Sequence, residues 1–225
     1  MKAPEAVIFD MDGVIFDSER LYMQCCKEAA EIYGAENIED TVMKCIGVNT
    51  ENTLRIYREA YGEDFPLDDF WHEATSRFAQ KAHGGLLPVK NGAEEILSYL
   101  HEKKIPIALA SSTKTETVIR ELKAAGLYGY FDIIVGGDMV SVSKPRPDIF
   151  LLAMEKLGRK PEECTIIEDS YNGVRAARAA GAYVIMVPDI AQPDDEMKAL
   201  ADIILSSLVE VKNKAFDESG IPLRL

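Results

Sequence analysis

A doubly wound parallel β-sheet with helices on both faces, interrupted by an inserted all-helical subdomain, is the fold this sequence predicts. Three observations predict it. Short apolar, β-branched runs alternate with helix-punctuated segments through most of the chain. One interval of about seventy residues breaks that alternation and shows helical periodicity alone. A polar cluster follows each of the first four apolar runs. The length of 225 residues suits one large domain or two small ones, enough to bury a core.

Ala6–Phe9 reads as the first buried strand. The interval that follows is helical. Asp17–Tyr33 places Leu21, Cys25, Ala29 and Ile32 near one face and stops at Gly34, and Thr50–Tyr61 and Leu67–Lys81 follow the same 3.6-residue period. Structureless loops longer than about 15 residues are rare, so residues 17–85 are expected to form an inserted helical domain. Residues 1–16 and 86–225 then form the sheet domain, with hinges around Phe16 and at Gly84-Gly85. Asn91, with Glu94 three residues on, looks like a capping box opening a helix that runs to about Lys103.

Ile105–Ala110, Ile133–Gly136, Thr165–Ile167 and Tyr183–Val187 read as further strands, and Ile203–Leu205 as a weaker sixth. Helices between them run over Thr115–Ala125, Asp148–Leu157 and Ser170–Ala180, each closed by a glycine, Gly126, Gly158 and Gly181, suited to a left-handed C-cap. The result is a Rossmann-like core. With the first strand central, the second and third lie on one side of it and the fourth and fifth on the other.

Charge narrows the partners. Lys plus Arg number 25 and Asp plus Glu 38, a net charge of −13, which repels nucleic-acid phosphates and anionic membranes. The first apolar run is too short for a signal peptide and no 18-residue apolar stretch exists, so a cytoplasmic protein is expected. Cys25, Cys26, Cys45 and Cys164 form no C-x-x-C pair, and His72, His83 and His101 are scattered, so reduced thiols rather than zinc ligands are expected.

The chemistry should lie at the carboxyl ends of the strands, where open parallel sheets bind ligands. Asp10-Met11-Asp12-Gly13 follows the first strand, with two carboxylates spaced by one residue. Such acids repel each other unless a cation sits between them or one stays protonated. Ser111-Ser112-Thr113 follows the second strand, and its hydroxyls and the N–H groups opening the next helix suit an oxyanion. Lys144, in Lys144-Pro145-Arg146-Pro147-Asp148, follows the third, and Glu168-Asp169-Ser170 with Gly173 follows the fourth. Each cluster by itself is also what a turn or a helix cap looks like. Joint placement on one rim singles them out.

This combination resembles the haloacid dehalogenase-like hydrolase superfamily over nearly the whole chain. Asp10, Asp12 and Gly13 match its first motif, Ser111 its second, Lys144 its third, and Glu168-Asp169 with Ser170 and Gly173 its fourth. The helical insertion looks like the cap of the branch that contains β-phosphoglucomutase and many sugar-phosphate phosphatases. The resemblance implies a Mg²⁺-dependent phosphatase acting on a small phosphorylated metabolite, a sugar phosphate or nucleotide-like compound. It implies Asp10 as nucleophile, forming an aspartyl phosphate, and Asp12 as acid and base. Ser111, Ser112 and Lys144 would bind the phosphate. Asp10, Asp12 through its main-chain carbonyl, and Asp169 would bind the metal, with Glu168 nearby. It also implies a monomer.

A β-phosphoglucomutase-like phosphomutase is the alternative. Members with that activity carry a cap His and a cap Arg where this chain has Tyr22 and, in Gly47-Val48-Asn49-Thr50, Thr50. Tyr22, Asn49 and Thr50 are therefore the candidates for substrate selection. A phospho-acceptor signalling domain is a remoter reading, since its acceptor Asp follows the third strand and it lacks a cap.

Overall fold

The computed structural model describes residues 5–45, 50–82 and 87–216. β1 (Ala6–Phe9), β2 (Ile107–Ala110), β3 (Ile133–Val135), β4 (Cys164–Glu168), β5 (Tyr183–Met186) and β6 (Ile203–Ile204) form one parallel sheet. Their order is β3-β2-β1-β4-β5-β6, which places β1 in the middle of the sheet beside β2 and β4. Alternation along each strand builds a core on either face. Val7, Phe9, Ile107, Leu109, Ile167 and Ile185 point into one cluster; Ala6, Ile8, Ala108, Ile166, Val184 and Met186 point into the other. The chain switches sides at β1, so the loops after β1 and β4 open side by side.

The described residues of the interval after β1 form four helices: α1 (Ser18–Tyr33), α2 (Ile38–Cys45), α3 (Thr50–Tyr61) and α4 (Leu67–Ala82). They bury their own core of Cys26, Ala29, Ile38, Tyr57, Phe70 and Ala74. The aromatic share is large: Phe70 sits 5.8 Å from Tyr57 and 6.1 Å from Tyr33, centroid to centroid. Ile32 does not join this core and is 57% exposed. Tyr33 takes its place on the inner face, because the buried stripe runs through Cys25, Cys26, Ala29 and Ala30. The eight residues of α2 span little more than two turns, too few for a periodicity that stands out in the sequence.

The two chain crossings pair with each other near Phe16, where Asp17 N donates to Pro88 O and Lys90 N to Ile15 O. Gly84-Gly85, the second expected hinge, lies outside the described residues. So does the apolar C-terminal tail.

α5 (Ala93–Glu102), α6 (Thr115–Ala124), α7 (Asp148–Leu157), α8 (Tyr171–Ala179) and α9 (Asp195–Leu200) complete the sheet domain. The capping box at Asn91 does not form. Gly92 occupies the N-cap position at φ 86°, and no side chain caps the helix. The segment after β6 explains the glycine, since a Cβ there would lie 2.6 Å from Val209 Cγ2. Two strand ends also shift. β2 begins at Ile107 because Pro106 has no N–H to donate, and β4 runs on to include Glu168. No helix of the described residues is long and apolar enough to cross a membrane.

Candidate active site

Asp10 is the first residue beyond β1, and its N–H, donating to Ile167 O at 3.0 Å, keeps the chain extended for one more step. The backbone turns back at Gly13, whose φ is 78° and whose N–H donates to Phe16 O at 2.9 Å. That glycine is required twice. A left-handed φ disfavours a side chain, and a Cβ would stand 2.2 Å from Asp169 Oδ2. Asp10 and Asp169 are thus held at the adjacent ends of β1 and β4.

Lys144 closes the arrangement from the loop after β3. Its Nζ donates to Asp10 Oδ1 at 2.5 Å, to Glu168 Oε1 at 2.7 Å and to Ala110 O at 3.3 Å, and it packs over the Phe150 ring. Glu168 is wholly buried, and its Oε2 accepts from Asp169 N, Ser170 N and the Ser170 hydroxyl at 2.8–3.0 Å. Gly173 makes room for it. The group that excludes a side chain there is the Glu168 carboxylate, 1.7 Å from where a Cβ would lie.

Asp12 faces a different environment. Its Oδ1 accepts from Ser18 Oγ at 2.8 Å, and its Oδ2 accepts from Thr113 Oγ1 at 3.0 Å and Ser111 Oγ at 3.4 Å. Ser112, between those two, is exposed. The N–H groups opening α6 are less available than the sequence suggests. Asp138, just after β3, caps α6 by accepting from Thr115 N and Oγ1 at 2.7 Å, and Ser111 Oγ accepts from Thr113 N. Because Asp138 does the capping, the Thr113 hydroxyl is left for Asp12.

Among the described residues the site is short of positive charge. Burial pushes the Asp10 carboxyl up to about 8; Lys144 opposes the rise, while Glu168 and Asp12 add to it. Burial likewise raises Asp169 well above the carboxylate range, helped by Glu168, Glu19 and Asp10. Burial alone would lower the Lys144 ammonium, yet Asp10 and Glu168 push it above its ordinary value, so it stays charged. One ammonium therefore serves Asp10, Glu168 and Asp169 together. A divalent cation among these oxygens would reverse the cost of ionising them.

Three residues of the site escape the sequence reading. Thr113 is one. Glu19, in the first turn of α1, and Asp189, after β5, are the others. Their carboxylate oxygens and one from Asp169 lie within 4.8 Å of one another. Asp189 Oδ1 accepts from Lys90 Nζ at 2.6 Å and Arg20 Nε at 3.3 Å, while its buried Oδ2 has no hydrogen-bond partner among the described residues. Burial pushes Glu19 up to about 7, with Asp189, Asp12 and Glu168 adding to the rise. Asp189 follows the same strand-end rule that locates the other acids, which was the available signal.

A cavity of about 610 Å³ connects this rim to the helical domain. Asp12, Ser18, Glu19 and Thr113 line its floor, and Tyr22, Tyr57, Trp71 and Phe78 line its far side. Tyr22 is thus where the sequence reading expects a selecting residue. Asn49 lies outside the described residues, and only the backbone of Thr50 is described, as the start of α3.

The family profile for haloacid dehalogenase-like hydrolases matches residues 7–187. A phosphorylated carbohydrates phosphatase of Thermotoga maritima is 39% identical over 180 residues, covering 79% of this chain and 82% of that protein. A Drosophila melanogaster protein named "probable pseudouridine-5'-phosphatase" is 36% identical over 227 residues, covering 96% of this chain and 93% of that one. Among solved structures, a HAD family hydrolase from Deinococcus radiodurans, with bound phosphate and sodium, superposes with a TM-score of 0.79 at 30% identity. The match covers 94% of this chain and 95% of that one.

Proposed function

The chain belongs to the haloacid dehalogenase-like hydrolase family and is one of its phosphoric monoester hydrolases, and on that premise we propose a Mg²⁺-dependent phosphatase of small phosphorylated metabolites that works through an aspartyl phosphate. One observation carries the assignment of roles. Two carboxylates two residues apart are held by different partners, Asp10 by the Lys144 ammonium and Asp12 by the hydroxyls of Ser18, Thr113 and Ser111.

Asp10 is the nucleophile. Its carboxylate oxygen bonds to phosphorus as the ester P–O bond breaks, and the leaving oxygen takes a proton from Asp12. Water then attacks the aspartyl phosphate, giving its proton back to Asp12 as the bond to Asp10 breaks and phosphate leaves. The hydroxyls around Asp12 hold its carboxyl at one orientation through both proton transfers. Lys144 fixes Asp10 for attack and lies within reach of the charge that spreads over the transferring oxygens. Ser111 and Ser112 complete the phosphate side.

The donor set fits a hard divalent ion: buried carboxylates in excess over ammonium, all oxygen ligands. Asp10, the main-chain carbonyl of Asp12 and Asp169 would hold it, with Glu168 in the outer shell. A bound Mg²⁺ supplies neutralising charge at the phosphoryl oxygens, which an anionic nucleophile requires. Residues 17–85 act as the cap that closes over residues 1–16 and 86–225 and excludes water. We take the enzyme to be a cytoplasmic monomer, and its charge of −13 supports small-molecule substrates rather than nucleic acid or membrane.

Hydrolysis of p-nitrophenyl phosphate with Mg²⁺ tests this. Asp10→Asn is expected to abolish turnover, and Asp12→Asn to lower it roughly 10²–10⁴-fold, the range of general acid–base catalysis. Wild-type rates in the Asp10→Asn protein would overturn the mechanism.

A further inference from the structure

The cavity walls constrain the leaving group. Tyr22 meets Phe78 edge to face at 5.9 Å, and Tyr57 meets Trp71 edge to face at 5.8 Å. The Tyr22 hydroxyl is engaged with Cys26 and Thr75, and the Tyr57 oxygen accepts from the Trp71 indole N–H. Tyr22, Trp71 and Phe78 therefore offer ring surface rather than free donors. Polar side chains of the same lining, Asp12, Ser18, Glu19 and Thr113, offer hydrogen-bond partners at the phosphate end, and the aromatic side chains offer ring surface on which a flat, uncharged ring can stack.

Charge points the same way. No Lys or Arg is among the described residues that line the cavity. The basic residues Arg20 and Lys90 are paired with Asp189. A second phosphate would enter a space bounded by Glu19 and Asp12 with no ammonium or guanidinium to meet it. Glu19 lines the cavity together with Asp12 and the aromatic side chains, and its carboxylate lies within 4.8 Å of oxygens of Asp169 and Asp189.

Building on the phosphatase reading, we infer that the substrate is a monophosphate of nucleoside type. Its uncharged ring packs against Tyr22, Tyr57, Trp71 and Phe78, Glu19 accepts from a sugar hydroxyl, and no second phosphate is accommodated. The lack of a cation for a second phosphate among the described lining residues likewise favours a phosphatase over a mutase, which handles a sugar bisphosphate.

Trp71 is the single tryptophan of the chain, so its fluorescence reports occupancy of the cavity independently of turnover. Uridine 5′-monophosphate, ribose 5-phosphate and fructose 1,6-bisphosphate are compared in two ways: as substrates of the wild-type enzyme with Mg²⁺, and as ligands of Asp10→Asn by Trp71 fluorescence. The nucleotide is expected to exceed ribose 5-phosphate by roughly 10-fold in kcat/KM and in affinity, the scale of stacking a base on an aromatic side chain. It should exceed the bisphosphate by about 100-fold, as expected of a site that leaves a polar group unpaired. Trp71→Leu should bring the nucleotide and ribose 5-phosphate within about 3-fold of each other in kcat/KM. Equal or better turnover of ribose 5-phosphate or the bisphosphate overturns the inference and leaves the phosphatase reading intact. Absence of turnover on every ester, with the predicted order of binding preserved at Trp71, overturns the phosphatase reading and leaves this one standing.

Discussion

Replacing Gly173 by alanine should damage the site from a position that never touches substrate. A Cβ on Gly173 would lie 1.7 Å from Glu168 Oε1, 1.8 Å from Cδ and 2.2 Å from Oε2. All three carboxylate atoms are within the clash, so rotating the group cannot clear it, and Glu168 is fully buried with no solvent to move into. Displacement costs Glu168 its bonds to Asp169 N, Ser170 N, Ser170 Oγ and Lys144. Displacing one partner of a buried, hydrogen-bonded ion pair costs about 3–5 kcal/mol in all. Partial relaxation and a helix-propensity gain of about 1 kcal/mol for alanine act in the other direction.

We expect a net loss of about 3–4 kcal/mol for Gly173→Ala, which in a chain of this size lowers Tm by roughly 6–16 °C. Urea denaturation measures it. Gly129→Ala is the control, because nothing lies within 4 Å of its Cβ and it should change stability by less than about 0.5 kcal/mol. In a Glu168→Ala background the clash is gone, so Gly173→Ala should there cost less than about 1 kcal/mol. Wild-type stability for Gly173→Ala, or an equal cost in both backgrounds, would refute the steric argument.

Two further outcomes follow from the site's electrostatics and hydrogen bonds. Asp10 is raised from 3.8 to about 8 and Glu19 from 4.5 to about 7, so between those values the folded metal-free protein holds protons that the unfolded chain has released. Stability in EDTA should therefore fall as pH rises from 5 to 8, and Mg²⁺ should raise Tm increasingly over the same range; a metal-free Tm that climbs with pH would contradict the raised values. Thr113→Val removes the hydroxyl 3.0 Å from Asp12 Oδ2 and should lower kcat about 10-fold with little change in KM, while Thr113→Ser should keep most of the activity; equal rates in both would deny the hydroxyl a role in holding Asp12.

Much of the site is legible in the order of residues along the chain, for a local reason. Asp10, Ser111, Lys144, Glu168 and Asp169 each sit at or just beyond the carboxyl end of a β-branched run, and parallel strands in one sheet bring those ends to one rim. Position along the chain is then nearly position in space. Local rules fail where the deciding contact comes from elsewhere in the chain. Asn91 has the spacing of a capping box, yet Val209, more than a hundred residues later, sets the conformation at Gly92. The start of α6 is flanked by ready hydroxyls, yet Asp138 caps it from beyond β3. Ile32 fits the helical period, yet the direction in which α1 meets α4 selects Tyr33.

By itself the sequence determined the class of fold, the helical insertion and the acids, hydroxyls and lysine that follow the strand ends, because periodicity and strand-end position are properties of neighbouring residues. Tertiary structure alone decided how those groups divide: Asp10 to Lys144, Asp12 to Ser18, Ser111 and Thr113, and Glu19 and Asp189 beside Asp169. It also decided that the substrate cavity is walled by aromatic rings and carboxylates. Those facts depend on side chains far apart in the chain meeting in a buried space, where a partner's distance and charge set the energy and no local pattern records it.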